Sequence, residues 1–193
     1  MSNKHPLISI IIRGKNESNW LKILFKELQN QKYQNFEIIY CDNLSTDNSI
    51  AVAKKFKVKK IIKILNYTPG SAINQGIKRS LGQFIVILSS HCIPCSKNWL
   101  LNYVNFMNKN PKLVAAYGRQ IPLPGTSTKD FLDLDIVFSE KSSINQVHNY
   151  LNNANSIYKA EHLKKNLFDK NLKNIEDRKW AIDQKKKNFK IGY

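Results

Sequence analysis

Residues 84–94 of the chain read FIVILSSHCIP. The apolar run from Phe84 to Leu88 predicts a central strand buried on both faces, because it is too short for a core helix. Three polar residues, Ser89, Ser90 and His91, follow it directly. In open α/β sheets, ligands bind beyond the carboxyl ends of the strands. This stretch therefore predicts a sheet and also the edge of the sheet at which a ligand binds.

Strand and helix patterns alternate on both sides of this stretch. Apolar runs predict further strands over residues 7–12, 36–41, 58–65 and 113–117. Helical spacing and capping residues predict helices that start at Ser18, at Ser45 or Thr46, at Thr68 with Pro69, and at Ser96, the third of them ending at Gly82. Such a βαβα series is typical of an α/β fold with a mainly parallel central sheet flanked by helices on both faces.

The alternation ends after Arg119. Residues 120–129 contain two Pro, one Gly and several Thr and Ser, which predicts a loop. The following segment reads as irregular until a helix near residues 175–187 and a terminal strand at 190–193. Because 193 residues suffice for one core and are few for two, we expect a single domain over residues 1–193.

The chain is strongly basic, with 31 Lys and Arg against 14 Asp and Glu and a formal charge of +17. Such a field attracts nucleic acid, anionic lipid headgroups or phosphorylated small molecules, although a solvated lysine-rich face has the same composition. No helix-turn-helix, zinc-finger or RNP signature accompanies the charge. A basic nucleic-acid-binding protein is therefore an alternative that charge alone favours, and we expect no nucleic acid partner.

No apolar run approaches the ~20 residues of a membrane span, and the first one leads into Arg13 without a secretory cleavage site. We therefore expect a cytoplasmic protein. Its charge also favours peripheral contact with the anionic inner face of the cell membrane.

Polar side chains follow each predicted strand at the point where a ligand would bind. They are residues 13–17 after the first strand, residues 42–47 after the second and residues 89–94 after the central one. A fourth polar group, Glu176 with Asp177, opens the last predicted helix, three residues before Trp180. Helix N-termini favour negative charge, so an ordinary acidic first turn is the alternative explanation for this pair.

These groups, in this order, resemble glycosyltransferase family 2, enzymes of the Rossmann-like GT-A fold that move a sugar from a nucleotide-sugar donor. The similarity rests on residues 9–12 with Asn16 and Glu17, residues 37–39 with Asp42, Ser45, Thr46 and Asp47, residues 74–76 with Gly82, and Glu176 with Asp177. Within the family, residues 68–70, 90–94, 117–120 and 153–155 are similar to a bacterial subgroup associated with envelope polysaccharides.

The resemblance implies roles for individual residues. Asp177 would be the general base that takes the proton of the acceptor hydroxyl. Glu176 would orient either Asp177 or the acceptor. Asp42 and Asn43 would face the base and ribose of the nucleotide. The other donor-binding residues would be Asn16 and Asn74 near the nucleotide and Arg13 and Lys15 at the diphosphate. The residues after the central strand, Ser89, Ser90 and His91, would also bind the donor. Because Asn43 replaces an acid that relatives often carry, the preferred base stays open.

One departure from the family concerns the metal. Relatives usually carry D-x-D after the central strand to hold a divalent cation, Mn²⁺ or Mg²⁺, but this chain has Ser89-Ser90-His91 there. Three interpretations stay open. Either His91 ligates the metal together with diphosphate oxygens, or His91 and basic residues neutralise the phosphates without metal, or the donor site has lost its metal and its activity.

Two further motifs carry weaker expectations. Asp133-Leu134-Asp135 is a literal D-x-D, but it follows a loop and not a buried strand, so an exposed acidic turn or helix surface is the simpler interpretation. Cys92 and Cys95 have C-x-x-C spacing and would join His91 and Cys41 in a zinc site. Three cysteines in a cytosolic chain are more simply reduced thiols.

The sequence as a whole predicts an inverting glycosyltransferase that moves a sugar from a nucleoside-diphosphate sugar to a saccharide or lipid-linked acceptor in cell-envelope polysaccharide synthesis. A catalytically degenerate domain that binds nucleotide sugars is the alternative. Many relatives continue beyond the point where this chain stops, so a homodimer partner completing the acceptor site and a truncated form both stay open.

Overall fold

The computed structural model describes residues 5–123, 125–138, 140–144 and 150–193. The strands of the described residues are β1 (Ile8–Gly14), β2 (Phe36–Asp42), β3 (Lys60–Lys63), β4 (Phe84–Ser89), β5 (Leu113–Tyr117), β6 (Asn155–Lys159) and β7 (Lys190–Gly192). Their helices are α1 (Ser18–Gln29), α2 (Ser49–Lys55), α3 (Pro69–Arg79), α4 (Trp99–Lys109), α5 (Thr128–Val137), α6 (Ala160–Lys165) and α7 (Glu176–Lys186).

The strands form one sheet in the order β3-β2-β1-β4-β6-β5-β7. Pairing is parallel between β1 and β2, β1 and β4, β2 and β3, and β5 and β7. Only β6 runs the other way among the strands described, and it pairs antiparallel with both β4 and β5. The expected α/β fold with a mainly parallel sheet is confirmed.

Helices cover both faces of this sheet. One apolar cluster joins Ile10 and Ile12 of β1 to α1, α2 and α4. The other joins Ile11 of β1 to α3, α6 and α7. Successive residues of a strand point to opposite faces, so β1 and β4, which contribute to both clusters, need apolar residues at consecutive positions, with Ser9 as a buried exception in β1. This requirement explains why their runs were legible in the sequence.

The helix starts show where local prediction held and where it was wrong. Thr68 caps α3 as expected, because its side chain accepts a hydrogen bond from the backbone N–H of Ser71 and Pro69 stands at the first helical position. In contrast, α2 starts at Ser49, and Ser45 and Thr46 lie in the preceding loop. The fourth helix starts at Trp99, three residues after the expected cap.

The region that reads as irregular contains three elements that the sequence did not predict. These are α5, the antiparallel strand β6 and the short helix α6. Asp133 and Asp135 are exposed on α5, in agreement with the expected acidic helix surface. The helix near 175–187 and the terminal strand are present as α7 and β7. A single domain over residues 1–193 stays a prediction. Among the described helices, none has the length and apolarity needed to cross a membrane.

Gly82 does not end α3, which stops at Arg79, and has another use. A Cβ atom at Gly82 would lie 2.5 Å from the backbone nitrogen of Ser9 and 2.8 Å from the backbone oxygen of Leu7. The Gly82 N–H also donates to the hydroxyl of Ser9 at 2.8 Å. Close approach of this loop to the start of β1 therefore requires glycine.

We expect Gly82→Ala to lower the free energy of unfolding by about 1–3 kcal/mol, because the methyl group meets backbone atoms that cannot rotate away. In a domain of this size that corresponds to a fall in the thermal midpoint of roughly 2–12 °C. Leu81→Ala is the matched control, since Leu81 is largely exposed. Equal midpoints for Gly82→Ala and the wild type would contradict the close approach.

Candidate active site

The carboxyl ends of three parallel strands meet at one edge of the sheet. Arg13 at the end of β1 is level with Ser89 of β4 and with Cys41 of β2, and Gly14 is level with Asp42. The polar segments that follow these strands therefore begin side by side. This is the edge at which sequence analysis predicted a donor site.

Asn16 ties the segment after β1 to the segment after β2. It has a left-handed backbone conformation, with φ of 56°. Its backbone N–H donates to the hydroxyl of Ser45 at 2.9 Å, and its side-chain oxygen accepts from the backbone N–H of Thr46 at 2.8 Å. Asn, unlike most residues, tolerates this conformation. The contacts give Asn16 a part in shaping the site, and its contact with a nucleotide stays a prediction.

Asp47 completes the junction. Its carboxylate accepts hydrogen bonds from the backbone N–H groups of Ser18 at 2.9 Å and Ser49 at 2.8 Å, the first residues of α1 and α2. Burial alone would raise the pKa of this carboxyl group, but the hydrogen bonds from Ser49 and Ser18 lower it to about 2. One ionised side chain thus starts two helices.

Asp42 lies beneath this junction and is 0% exposed. Its carboxylate accepts from the backbone N–H of Ser45 at 3.1 Å and from the hydroxyl of Tyr40 at 3.2 Å. Burial raises the pKa of Tyr40, which keeps that hydroxyl protonated and able to donate. The Asp42 side chain therefore has no exposed surface in this arrangement, and its contact with the nucleotide stays a prediction. Asn43, which is partly exposed, still has surface available.

The segment after β4 forms a tight turn at the same edge. The backbone N–H of Ser89 donates to the oxygen of Ala154 at 3.1 Å, and that of Cys92 donates to the oxygen of Ser89 at 3.0 Å. Ser90 is buried under Gly14, where a Cβ atom would lie 3.1 Å from its hydroxyl oxygen. These two serines therefore support the turn.

His91 is the residue of this turn that faces solvent, with its side chain 55% exposed. Its Nδ1 atom lies 3.6 Å from Oε1 of Glu17. Among the described residues there is no group of three or more His, Cys, Asp or Glu side chains able to hold a metal ion, so the zinc set of His91, Cys92, Cys95 and Cys41 is not formed. Burial raises the pKa of the Cys92 thiol to about 11, although Arg13 acts in the opposite direction.

Arg13 at the end of β1 contacts the loop that precedes α3. Its guanidinium donates to the hydroxyl of Tyr67 at 3.1 Å, and its Nε atom is buried with no hydrogen-bond partner among the described residues. A buried donor without a partner costs free energy unless a ligand satisfies it. Lys15, two residues on, is exposed.

The acid pair lies at the N-terminus of α7. Ile175 before it has φ of 57°, and the helix starts at Glu176. The carboxylate of Asp177 accepts from the backbone N–H of Asn153 at 2.9 Å and from that of Arg178 at 2.8 Å. Glu176 is 4% exposed, and its Oε1 atom accepts from the side-chain amide of Asn153 at 3.2 Å.

A cleft of about 440 Å³ joins the acid pair to the strand ends. Arg13 and Tyr67 line one part of it, and Glu176, Asp177 and Arg178 line another. The predicted diphosphate-binding Arg13 and the predicted general base thus lie in one cleft, although they are far apart in the sequence. The polar character of this cleft suits a phosphorylated sugar better than an apolar ligand.

Asn74 lies outside this group of contacts. Its amide nitrogen donates to the backbone oxygen of Phe168 at 2.8 Å, and its amide oxygen accepts from the backbone N–H of the same residue at 3.1 Å. Both ends of the side chain therefore hold the segment after α6 against α3. The role near the nucleotide that the resemblance implied for Asn74 stays a prediction.

Sequence reasoning missed three residues that shape the site. Glu17 was quoted only as part of a motif, yet it faces His91. Tyr67 binds Arg13 but precedes a helix cap and carried no signal of its own. Asn153 was noted only as part of the subgroup pattern at residues 153–155, and its contacts with both acids depend on a strand that was not predicted.

Comparisons with known proteins identify the same family as the sequence motifs. A family model described as Glycosyl transferase family 2 matches residues 9–167. An uncharacterized glycosyltransferase of Haemophilus influenzae is 35% identical over 144 residues, which are 67% of this chain and 57% of that protein. The chain thus spans little more than half the length of that curated relative.

Two further comparisons bear on chemistry and fold. The Escherichia coli UDP-Glc:α-D-GlcNAc-diphosphoundecaprenol β-1,3-glucosyltransferase WfaP is 37% identical over 87 residues, or 44% of this chain and 35% of that protein. The mannosyltransferase PcManGT of Pyrobaculum calidifontis, solved with GDP-Man and Mn²⁺, superposes with a TM-score of 0.76 at 14% identity, covering 98% of this chain and 55% of that one. The expected GT-A fold is confirmed.

The double role of Asp47 predicts a pH-dependent effect of its removal. We expect Asp47→Ala to lower the free energy of unfolding at pH 7 by about 0.5–2 kcal/mol, the usual range for a lost helix cap. Because the folded-state pKa is depressed to about 2, this stabilisation is present above the unfolded pKa of about 4 and is lost as the pH falls towards 2.

Thermal midpoints of the wild type and Asp47→Ala, measured from pH 7 down to pH 2, should therefore converge at the acid end. Asp135→Ala, at an exposed acid on α5, is the control for a general loss of negative charge. A gap between wild type and Asp47→Ala that stays constant over this range would count against the ionised cap.

Proposed function

The chain belongs to glycosyltransferase family 2, and from this premise we propose that it catalyses an inverting sugar transfer from a nucleoside-diphosphate sugar. The acceptor is the hydroxyl group of a saccharide, free or lipid-linked, in the synthesis of a cell-envelope polysaccharide. The observation that carries the proposal is the shared cleft of Arg13 and Asp177. It offers a cation for a diphosphate and a carboxylate for a hydroxyl proton.

The proposed acceptor fits the activity for which one relative is named. The E. coli protein WfaP is named for transfer from UDP-glucose to α-D-GlcNAc-diphosphoundecaprenol. A lipid-linked saccharide of that kind presents a sugar hydroxyl next to a diphosphate. The basic residues Arg13, Lys173 and Arg178 around the cleft suit substrates that carry phosphate on either side of the reacting centre.

Asp177 acts as the general base of this reaction. It accepts the proton of the acceptor hydroxyl while that oxygen forms its bond to the anomeric carbon. The bond between the anomeric carbon and the diphosphate oxygen breaks on the opposite face, and its electron pair leaves with the nucleoside diphosphate. Arg13, which lines the cleft, pairs with the charge that develops on the leaving group.

A divalent cation, when bound, neutralises charge on the leaving diphosphate. Two side chains of this chain are suited to hold it, His91 through Nδ1 and Glu17 through Oε1, whose atoms lie 3.6 Å apart. Two ligands are too few for a hard cation by themselves, so the fit requires oxygens of the diphosphate. We propose that metal binds here only together with the donor.

Thermal stability in the presence of UDP, GDP, dTDP, CMP and their sugars tests the donor site, each with Mn²⁺, Mg²⁺ or EDTA. A ligand at a hundred times its dissociation constant adds about 2.7 kcal/mol, which raises the midpoint by roughly 5–10 °C. We expect one nucleotide to do so, with a smaller rise in EDTA and in His91→Ala.

Each alternative has its own result in this experiment. The same rise in EDTA as in Mn²⁺ would support metal-free neutralisation of the phosphates. Stabilisation by a nucleotide, in a protein that releases no nucleoside diphosphate in a separate turnover assay, would support a degenerate binding domain. No rise with any nucleotide would contradict the proposal, and a steeply salt-dependent affinity for DNA would then revive the nucleic-acid alternative.

Replacement of the general base tests the chemical step. We expect Asp177→Asn to lower kcat about 10²–10⁴-fold with little change in nucleotide affinity, because the amide cannot take a proton. Release of nucleoside diphosphate from UDP-glucose, UDP-GlcNAc or GDP-mannose is the measurement, with GlcNAc-diphosphoundecaprenol as acceptor. Asp183→Asn, at an exposed acid of α7 paired with Lys179, is the control and should keep wild-type kcat. Equal kcat for both variants would overturn the assignment.

A further inference from the structure

Asn153 is 1% exposed and lies two residues before β6, next to the N-terminus of α7. Its side-chain oxygen accepts hydrogen bonds from the hydroxyls of Tyr158 at 2.5 Å and Ser156 at 3.2 Å. Its side-chain nitrogen donates to Glu176, and its backbone N–H donates to Asp177. One buried residue therefore contacts both members of the acid pair.

The orientation of the Asn153 amide is determined by the core behind it. Because the amide oxygen faces the two hydroxyl groups from which it accepts, the NH₂ group must point the opposite way, towards Glu176. Burial raises the pKa of Tyr158 well above its usual value, and the charges of Asp177 and Glu176 act in the same direction. The Tyr158 hydroxyl thus stays protonated and keeps the amide from turning.

We propose that Asn153 is the positioning residue of the acid pair. Its side chain holds Glu176 and its backbone N–H holds Asp177, so the start of β6 sets the geometry of both carboxylates. The catalytic value of this geometry rests on the proposed function. The hydrogen bonds from Asn153 to the two acids do not depend on that function.

The contacts leave Asp177 able to act on a substrate. Backbone N–H groups occupy one position on each of its oxygens, from Asn153 on Oδ2 and from Arg178 on Oδ1. A carboxylate has about four acceptor positions, so the others stay open towards the cleft. Two fixed donors hold the group in one orientation, which is what a base needs to meet an acceptor hydroxyl.

Asn155 supplies a matched comparison. Its side-chain oxygen accepts from the indole N–H of Trp99 at 3.1 Å and from the hydroxyl of Tyr103 at 2.7 Å, much as that of Asn153 accepts from two hydroxyls. No hydrogen bond from Asn155 to a carboxylate is found among the described residues. Tyr103→Phe therefore removes a buried hydroxyl like that of Tyr158 without touching the acids.

A cycle of substitutions measures the holding without any substrate. Asn153→Asp sets two carboxylates side by side and should lower the thermal midpoint at pH 7, because like charges repel. Adding Glu176→Gln to Asn153→Asp restores one amide facing one carboxylate. The carboxylate is then at position 153 and the amide at position 176. We expect the double variant to melt about 5 °C or more above Asn153→Asp. If the change in midpoint of the double variant equals the sum of the changes in the two single variants, the inference is overturned.

Turnover separates positioning from mere support of the fold. We expect Asn153→Ala to lower kcat about 10–100-fold for release of nucleoside diphosphate from UDP-glucose, UDP-GlcNAc or GDP-mannose, with KM for the donor unchanged. Should this variant fail to fold, Tyr158→Phe frees the amide and should lower kcat several-fold. Tyr103→Phe should lose similar stability and keep its kcat.

The outcomes distinguish this inference from the function on which it rests. Wild-type kcat in Asn153→Ala or Tyr158→Phe would overturn the positioning role even where the cycle shows coupling. A wild-type protein that releases no nucleotide from any donor would overturn the proposed function alone, because the cycle of substitutions reports on Asn153 without turnover.

Discussion

Parallel pairing of β1 with β2 and β4 fixes where the loops that follow these three strands begin. Because the three strands run in one direction and in a set register, Arg13, Asp42 and Ser89 end at the same edge. Each strand carries apolar side chains on both faces and polar residues at its carboxyl end, so a shift along the sheet would move that polar end against an apolar core. The register that stabilises the sheet therefore also holds the loops of the site together. Neither could change alone.

The single antiparallel strand among those described, β6, brings a second set of site residues to the same edge of the sheet. Since β6 runs against β4, it is the beginning of β6 that lies beside the end of β4. Residues just before β6 consequently meet residues just after β4, as the hydrogen bond from Ser89 to Ala154 shows. Asn153 arrives there by the same reversal, and α7 packs close enough for its acids to reach it.

Sequence analysis predicted the elements that depend on burial and failed where loops compete with helices for the same side chains. The strand at residues 113–117 and the cap at Thr68 were correct, because their signals are local. Ser45 looked like a cap, but it accepts from Asn16 in another loop, a contact that no local pattern reveals. Strand β6 has only five residues, with polar ones at both ends, and no turn signature marks it. The burial of Asp42 follows from tertiary packing and could not be foreseen.

The carboxylate of Asp47 makes the loops after β1 and β2 one mechanical unit. Both helices begin on it, and Asn16 adds a second connection between the same segments. Exchange of one loop for that of a relative, for instance to alter the base of the donor, would sever bonds that the other loop needs. Residues 14–18 and 42–49 are therefore one transplantable module, and a graft that keeps the junction must carry both.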